Sequence, residues 1–152
     1  MHKLTALEPI LEKLISFEYE EDWFEFKENW FEPDPLGEYV SALSNAAAFH
    51  SKKYAFFVWG INNDTHEIVG TTFNQYRDHK SEPYQNYLAR NLSPSINFSF
   101  EECKLDGKRV VVLVILAAVE IPTDFKNKRF LRIGSSKIAK DGKLFYLPQQ
   151  KG

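Results

Sequence analysis

Residues 23–28 read Trp23-Phe24-Glu25-Phe26-Lys27-Glu28, an alternation of apolar and charged side chains with a period of two. This period is typical of a β-strand, because successive side chains point to opposite faces. Phe24 and Phe26 therefore share one face, and Glu25 and Lys27 share the other. The pattern predicts a strand with one buried face and with an acid and a base side by side on an exposed face.

An acidic cluster leads directly into this predicted strand. Glu20, Glu21 and Asp22 precede Trp23, and Glu20 lies five residues before Glu25. Two carboxylates at the entry to a strand can bind a divalent cation, because such ions prefer oxygen ligands. The commoner arrangement is a solvated pair with no ligand. Both interpretations stay open on the residues alone.

Length and composition indicate one folded domain. The chain has 152 residues, of which 43% are hydrophobic and 15% aromatic, and this composition excludes a disordered chain. No apolar run is long enough to cross a bilayer, and Met1-His2-Lys3-Leu4 lacks the apolar core of a signal peptide. Cys103 is the single cysteine, so no internal disulfide can form. We therefore expect a cytoplasmic protein that does not bind membranes.

Charge is distributed unevenly along the chain. Residues 1–103 carry 8 Lys and Arg against 17 Asp and Glu, a net charge of −9, whereas residues 104–152 carry 11 against 4, a net charge of +7. The basic C-terminal third favours an anionic partner for one face of the protein. The whole chain has a net charge of −2, which limits nonspecific binding to nucleic acid.

Periodicity, caps and turns predict an α+β fold, with a mixed, mainly antiparallel sheet of about six strands packed by two or three helices. Asp34-Pro35 fits an N-cap followed by proline at the first helical position. Asn62–Thr65 and Asp106-Gly107 predict two hairpin turns, and no element is predicted after residue 136. The predicted helices cover about 8–17, 35–49 and 84–92, and the predicted strands cover 23–28, 54–61, 67–73, 96–101, 109–118 (expected to be central) and 129–133.

Six segments of the chain occur in the order and spacing of a known domain. They are Glu25-Phe26-Lys27-Glu28, Tyr39-Val40-Ser41-Ala42-Leu43-Ser44-Asn45-Ala46, Trp59-Gly60-Ile61-Asn62-Asn63, His66-Glu67-Ile68-Val69-Gly70, Ser93-Pro94 and Arg132-Ile133-Gly134-Ser135-Ser136. Over about residues 20–136, the chain resembles the Schlafen-type AlbA-like domain of bacterial proteins labelled as transcriptional regulators or ATP-binding proteins. The resemblance implies an Alba-related fold that binds DNA or RNA. We expect this domain at residues 1–144, and a tail or the start of a linker to a further C-terminal region at residues 145–152.

The resemblance also implies a nuclease site, because some Schlafen proteins cleave tRNA and rRNA with three carboxylates. Glu20 and Glu25 keep the spacing of two of them as implied catalytic residues, and the third position falls at Asn62-Asn63. Mg²⁺ or Mn²⁺ would then be bound by Glu20, Glu25 and Asn63. An amide adds no charge, so we expect weak metal affinity and favour a domain that is not an enzyme. The chain has no phosphate-binding loop ending in Gly-Lys-Ser or Gly-Lys-Thr, so ATP is expected only through a further C-terminal region.

Basic residues are the candidate contacts for nucleic acid, with Arg132 as the first choice and Lys27 as the second. The full candidate set is Lys27, Lys108, Arg109, Lys126, Lys128, Arg129, Arg132, Ser135 and Lys137. We expect the positive side chains to gather into one phosphate-sized cleft beside Glu25 and Lys27. Alternatively, they are solvated or pair with the acidic N-terminal region.

Three functions therefore follow from the sequence and the resemblance. The leading one is a DNA- or RNA-binding module of a transcriptional regulator. The second is a divalent-metal endoribonuclease. The third is a non-catalytic domain for interaction with a partner or for dimerisation as a homodimer.

Overall fold

Three helices and ten strands make up the described part of the chain, residues 7–133 and 136–140 of a computed structural model. The helices are α1 (Leu7–Ser16), α2 (Pro33–Phe49) and α3 (Tyr84–Asn91). The strands are β1 (Phe24–Lys27), β2 (Tyr54–Trp59), β3 (Asp78–His79), β4 (Glu82–Pro83), β5 (Leu92–Ser93), β6 (Phe98–Leu105), β7 (Lys108–Leu116), β8 (Asp124–Phe125), β9 (Lys128–Ile133) and β10 (Ser136–Lys140). This content confirms the predicted α+β class. Within the described ranges, no helix combines the length and the apolarity needed to span a bilayer.

The first sheet has the strand order β1-β2-β7-β6, with β1 parallel to β2 and the other neighbours antiparallel. β2 and β7 are its interior strands, and their apolar side chains are mostly buried. The predicted central position of the strand at 109–118 is thus confirmed. The β6–β7 hairpin turns through Asp106 (φ 50°) and Gly107 (φ 74°), the left-handed pair that the Asp-Gly signal predicts.

The predicted hairpin between residues 54–61 and 67–73 is wrong. β2 already has β1 on one side and β7 on the other, so neither of its edges can accept another strand. In the part of the chain that the structure describes, an isolated bridge between Ile61 and Ile68 is the only strand-type pairing of these two segments. Thr71 is instead held at the end of the sheet, where its N–H donates to Arg109 O (2.9 Å).

The second sheet has the order β10-β9-β8-β5, and β3 and β4 form a separate two-stranded ribbon. The sequence predicted one sheet of about six strands, with no strand at β8 or β10, so this division is a correction. α2 packs against both sheets, because it contacts β2 and β7 of the first and β8, β9 and β10 of the second. The two sheets therefore meet across a helix.

Buried polar side chains of α2 fix the second sheet in place. Ser41 Oγ donates to Thr123 O (2.7 Å) and accepts from Phe130 N (3.1 Å). Asn45 Nδ2 donates to Phe130 O (2.8 Å) and to Thr123 O (3.0 Å), and Asn45 Oδ1 accepts from Thr123 N (2.7 Å). A buried backbone group needs a hydrogen-bond partner. These two side chains therefore supply the partners of backbone groups in the segment that leads through β8 into β9.

The start of α2 also differs from the prediction. Glu32 occupies the N-cap position and Pro33 begins the helix, so Asp34 is a first-turn residue. Its carboxylate accepts hydrogen bonds from the Tyr87 hydroxyl (2.5 Å) and from Lys126 Nζ (3.0 Å). Asp34 thereby joins α2 to α3 and to the β8–β9 turn.

Candidate functional site

Two carboxylates and one arginine form a buried charge cluster at the edge of the first sheet. Glu20 precedes β1, Glu25 lies within β1, and Arg132 comes from β9. Arg132 Nη2 is 3.0 Å from Glu20 Oε1 and 2.8 Å from Glu25 Oε1. The three side chains are 0% (Arg132), 6% (Glu20) and 4% (Glu25) exposed. The cluster therefore places one positive charge between two carboxyl groups away from water.

The same side chains cover the free edge of β1. Gly60 N donates to Lys27 O on the side of β1 that faces β2, and the alternate residues Phe24 and Phe26 turn their backbone groups outward. Phe26 N donates to Glu20 Oε2 (2.7 Å), and Arg132 Nη1 donates to Phe24 O. Because open strand edges are sites of unwanted pairing, this cover protects β1 and ties it to the second sheet.

The predicted exposed face of β1 is therefore wrong for Glu25. The residue is 3% exposed, because Arg132 of β9 and Tyr39 of α2 lie against that face. The pKa of the Glu25 carboxyl is raised to about 7, mainly by burial and also by the nearby Glu20 carboxyl, against the opposing effects of Arg132 and Lys27. Burial, followed by the negative charge of Glu25, also raises the pKa of the Tyr39 hydroxyl.

Lys27 is the member of this region with the most contact with solvent. Its side chain is 25% exposed, and Nζ lies 3.8 Å from Glu25 Oε2. The ammonium group also lies 5.5 Å from the ring centroid of Trp30 and 5.8 Å from that of Tyr39. Lys27, which is predicted to contact phosphate, thus lies beside one carboxylate and two aromatic rings. Each of these three groups attracts the positive charge of its ammonium group.

The residues proposed to bind a metal do not fit one in this arrangement. All four carboxyl oxygens of Glu20 and Glu25 already face a donor or a cation, from Arg132, Phe26 N or Lys27. Asn63 is exposed in the turn after β2. Across residues 7–133 and 136–140, the structure contains no group of three or more His, Cys, Asp or Glu side chains able to hold a metal ion.

Most predicted basic contacts pair with carboxylates and do not form one cleft beside Glu25. Arg132 is 1% exposed, so the prediction that it contacts phosphate is wrong. Arg109 pairs with Glu102 (3.2 Å), Lys126 with Asp34 (3.0 Å) and Arg129 with Asp124 (2.8 Å). The alternative of pairing with acidic residues therefore describes several of these side chains correctly.

The remaining candidates are exposed or lie outside the described side chains. Lys108 Nζ donates to Ile68 O (3.2 Å), and Lys128 is exposed at the start of β9. Ser135 lies outside the described residues. Lys137 is described only by its backbone, which pairs with that of Arg132. Ser135 and Lys137 therefore stay predictions as nucleic-acid contacts.

Comparison with known proteins identifies the domain. The family model described as "Schlafen, AlbA_2" matches residues 20–141, which is most of the chain. The chain belongs to the Schlafen AlbA_2 family. The resemblance inferred from the six segments is thus confirmed. No curated protein matches this AlbA_2 chain.

Two solved structures resemble the AlbA_2 chain at low sequence identity. The DIP2311 protein from Corynebacterium diphtheriae aligns with a TM-score of 0.52 and 15% identity over 86% of this chain and 26% of its own. The N-terminal domain of a RecG-related protein from Nitrosomonas europaea aligns with a TM-score of 0.40 and 17% identity over 98% of this chain and 99% of its own. The AlbA_2 chain thus spans about a quarter of the length of DIP2311, and the first alignment supports the fold alone.

The sequence reasoning included Lys126 but missed two further cations near α3 of the AlbA_2 domain, Lys80 and Arg90. Lys80 and Arg90 lie with Lys126 around the ring of Tyr87. A signal for part of this set was present, because Tyr87 and Arg90 are three residues apart in a predicted helix and so share a face. Lys80 carried no such signal, since the residues around it were predicted to form a loop.

Proposed function

We propose that this chain is a nucleic-acid-binding domain whose partner is DNA or RNA. The observation that supports the proposal is membership of the Schlafen AlbA_2 family over residues 20–141. The buried cluster of Glu20, Glu25 and Arg132 then has a structural task, because it closes the edge of β1 and joins the two sheets. Phosphate contact falls to exposed cations elsewhere on the surface.

Charge limits the strength of this binding. The chain has a net charge of −2, and five of the seven predicted cations whose side chains are described have a carboxylate within salt-bridge distance. Few of the predicted cations are therefore left to displace counterions from the phosphates, and that displacement drives most sequence-independent affinity. We expect weak binding that falls as the salt concentration rises.

Fluorescence anisotropy with labelled single- and double-stranded DNA and RNA at low salt tests the proposal. The expected result is a salt-sensitive increase in anisotropy with at least one of the four probes at micromolar protein. Competition with poly-glutamate of matched charge is the control, because it separates recognition of nucleic acid from attraction to any polyanion. No change with any probe at tens of micromolar protein would contradict the proposal.

A second candidate is a divalent-metal endoribonuclease, and one observation favours it. The fold brings the Glu20 and Glu25 carboxyl groups to the same guanidinium, as a shared role would require. Against it, every oxygen of the pair is already occupied by a donor or a cation. The nuclease therefore stays a prediction that ranks below simple binding.

Incubation with tRNA in Mn²⁺ or Mg²⁺ distinguishes the two functions. A binding domain leaves tRNA intact in both metals. Cleavage by the native chain that disappears in Glu25→Gln, with tRNA binding unchanged, would establish the nuclease. Cleavage that persists in Glu25→Gln points to a contaminating enzyme. Lys52→Gln, an exposed residue outside the cluster, is the control for handling of the variants.

A further inference from the structure

Three cations converge on the ring of one buried tyrosine, Tyr87 of α3. Lys80 Nζ, Arg90 Cζ and Lys126 Nζ lie 5.9, 5.3 and 5.3 Å from its ring centroid. Tyr87 is 2% exposed, whereas all three cations belong to exposed residues. An aromatic face attracts cations, so a fixed ring holds their charged ends at a defined place on the surface. We call Lys80, Arg90 and Lys126 the Tyr87 cation cluster.

Two tight turns carry the lysines of the Tyr87 cation cluster. Lys80-Ser81 joins β3 to β4, and Lys126-Asn127 joins β8 to β9, each as a two-residue hairpin loop. The φ angles are 53° and 65° in the first turn and 49° and 64° in the second. Two-residue hairpin turns of this kind require left-handed backbone at both positions, and lysine is an uncommon residue there. Two hairpins from different sheets thus each place a lysine, the first left-handed residue of its turn, against the same ring.

Carboxylates compensate the Tyr87 cation cluster only in part. Asp34 lies 3.0 Å from Lys126, and Glu82 lies 2.7 Å from Arg90. In the described part of the chain, Lys80 has no carboxylate within salt-bridge distance. The side chains of Lys126 and Arg90 also remain 41% and 59% exposed, so both can reach a further anion.

Neighbouring residues add to this positive surface. Lys128, two residues after Lys126, is exposed. Arg77 is exposed next to the β3–β4 ribbon, with its guanidinium 4.2 Å from the ring centroid of Phe31. Hydrogen bonds with Tyr87 and Asp34 raise the pKa of Lys126 above its ordinary value. The surface around Tyr87 therefore gathers cations from α3, the ribbon and the β8–β9 turn.

The chemistry of this surface suits phosphate better than bases. Tyr87 is buried and cannot stack on a base, whereas ammonium and guanidinium groups bind phosphate oxygens through short, charge-assisted hydrogen bonds. We propose that the Tyr87 cation cluster contacts the phosphodiester backbone of DNA or RNA. The inference rests on the proposed function and adds a location to it. Contacts of this kind position a protein on nucleic acid without reading its sequence.

Anisotropy titrations of the full chain with single- and double-stranded DNA and RNA test the location. In Lys80→Gln/Lys126→Gln we expect the slope of log affinity against log salt to fall by about 0.7 to 0.9 for each lysine. The ratio of native to variant affinity should then shrink about tenfold between about 50 mM and about 200 mM salt. The DNA and RNA arms show which backbone is bound.

The control variant is Lys52→Gln/Lys53→Gln, which removes two exposed lysines that also lie over aromatic rings, those of Trp23 and Tyr54. It should bind as the native chain does. Lys80→Arg/Lys126→Arg keeps both charges and should retain binding, which separates a lost contact from a lost fold. Circular dichroism and thermal melting check the fold of each variant.

The outcomes separate the proposed location from the proposed function. A loss of affinity in Lys80→Gln/Lys126→Gln supports the location, provided that Lys80→Arg/Lys126→Arg and the control variant keep binding. Two results overturn the location and leave the proposed function standing. One is equal affinity of the native chain and Lys80→Gln/Lys126→Gln, and the other is an equal loss of affinity in Lys52→Gln/Lys53→Gln. Absence of binding by the native chain overturns both.

Discussion

Arg132 has three bonded partners at once, and this makes it the residue on which the buried cluster depends. Its guanidinium reaches both Glu20 and Glu25 and the backbone of Phe24. Removing one member of a buried ion pair is costly, because it leaves the other charge without compensation. Loss of the arginine should therefore destabilise the fold strongly, although the intact cluster adds little net free energy of folding.

We predict that Arg132→Met lowers the free energy of unfolding by about 3 to 5 kcal/mol, since two buried carboxyl groups lose their only guanidinium. Urea unfolding followed by circular dichroism measures the change. Arg129→Met is the matched control: it breaks a pair with Asp124 whose side chains are 23% and 24% exposed, and it should cost about 1 kcal/mol. Similar costs for the two variants would contradict a special role for Arg132.

The pKa of Glu25 predicts a dependence of stability on pH. In the folded chain this pKa is about 7, above the ordinary value of 4.5, so between these values the folded state holds a proton that the unfolded state has released. The contribution of Glu25 to stability is therefore present below about pH 4.5 and is lost as the pH rises to about 7. The difference in unfolding free energy between native chain and Glu25→Gln should fall across this window.

Taking the difference removes the effects of titrating groups that do not interact with Glu25. Hydrogen bonds from cationic or amide partners lower the pKa of Glu82 and Glu102, and these groups act in the opposite direction. Both groups are present in the native chain and in Glu25→Gln, so their effects cancel. Urea unfolding at several pH values between about 5 and about 8 provides the measurement. A difference that is flat or rising with pH would show that Glu25 is not buried as described.

At the scale of elements, α2 packs tightly against β8 at Gly37, where the ring of Phe125 lies against the helix backbone. A Cβ atom placed on Gly37 would lie 2.2 Å from Cε1 and 2.3 Å from Cζ of Phe125. Alanine favours a helix over glycine by about 1 kcal/mol, yet overpacking of a filled core costs about 1 to 3 kcal/mol. The overlap is severe, so the packing effect should exceed the helical preference.

We predict that Gly37→Ala destabilises the chain by about 1 to 3 kcal/mol. A double-mutant cycle with Phe125→Leu gives the test, since a smaller side chain removes the ring that the new methyl group meets. When Phe125→Leu is already present, the change from glycine to alanine should be much less costly. An equal cost with and without Phe125→Leu would indicate that the ring is not the obstacle.

Local patterns predicted the elements but not their neighbours. The ends of α1 and α3 and the Asp106-Gly107 turn follow from short-range rules, and the structure confirms them. Residues 67–73 read as a strand, but pairing requires a free edge, and β1 and β7 occupy both edges of β2. The strand β8 has two residues and depends on Ser41 and Asn45 of α2, so periodicity could not reveal it.

The candidate site shows the same limit. The resemblance implied that Glu20 and Glu25 act together, and in the fold both carboxyl groups lie within 3.0 Å of Arg132 Nη2. Arg132 follows Glu20 by 112 residues, and its alternation with apolar neighbours gave no sign that it would be buried against these acids. A positive side chain in a basic segment looks the same in sequence whether it meets a phosphate or a carboxylate.

For the whole molecule, the opposite charges of the two parts of the chain are partly satisfied within the fold. Residues 1–103 have a net charge of −9 and residues 104–152 one of +7. Arg109, Lys126 and Arg132 each bind a carboxylate from the acidic part. Arg109 and Arg132 therefore stabilise contacts between distant segments. Lys126 does so too, but its side chain is 41% exposed and can still reach a further anion.

This internal pairing predicts a small salt dependence of nucleic-acid binding. If Lys80, Arg90, Lys126 and Lys128 supply the phosphate contacts, at about 0.7 to 0.9 each, the slope of log affinity against log salt has a magnitude of about 3. Affinities measured at several salt concentrations give the slope. Lys128→Gln should reduce the magnitude of the slope by about 0.7 to 0.9, the share of one contact, and Lys52→Gln should leave the slope unchanged. A slope of about 6 or more would require phosphate contacts from further cations, so these four would supply only about half of the contacts.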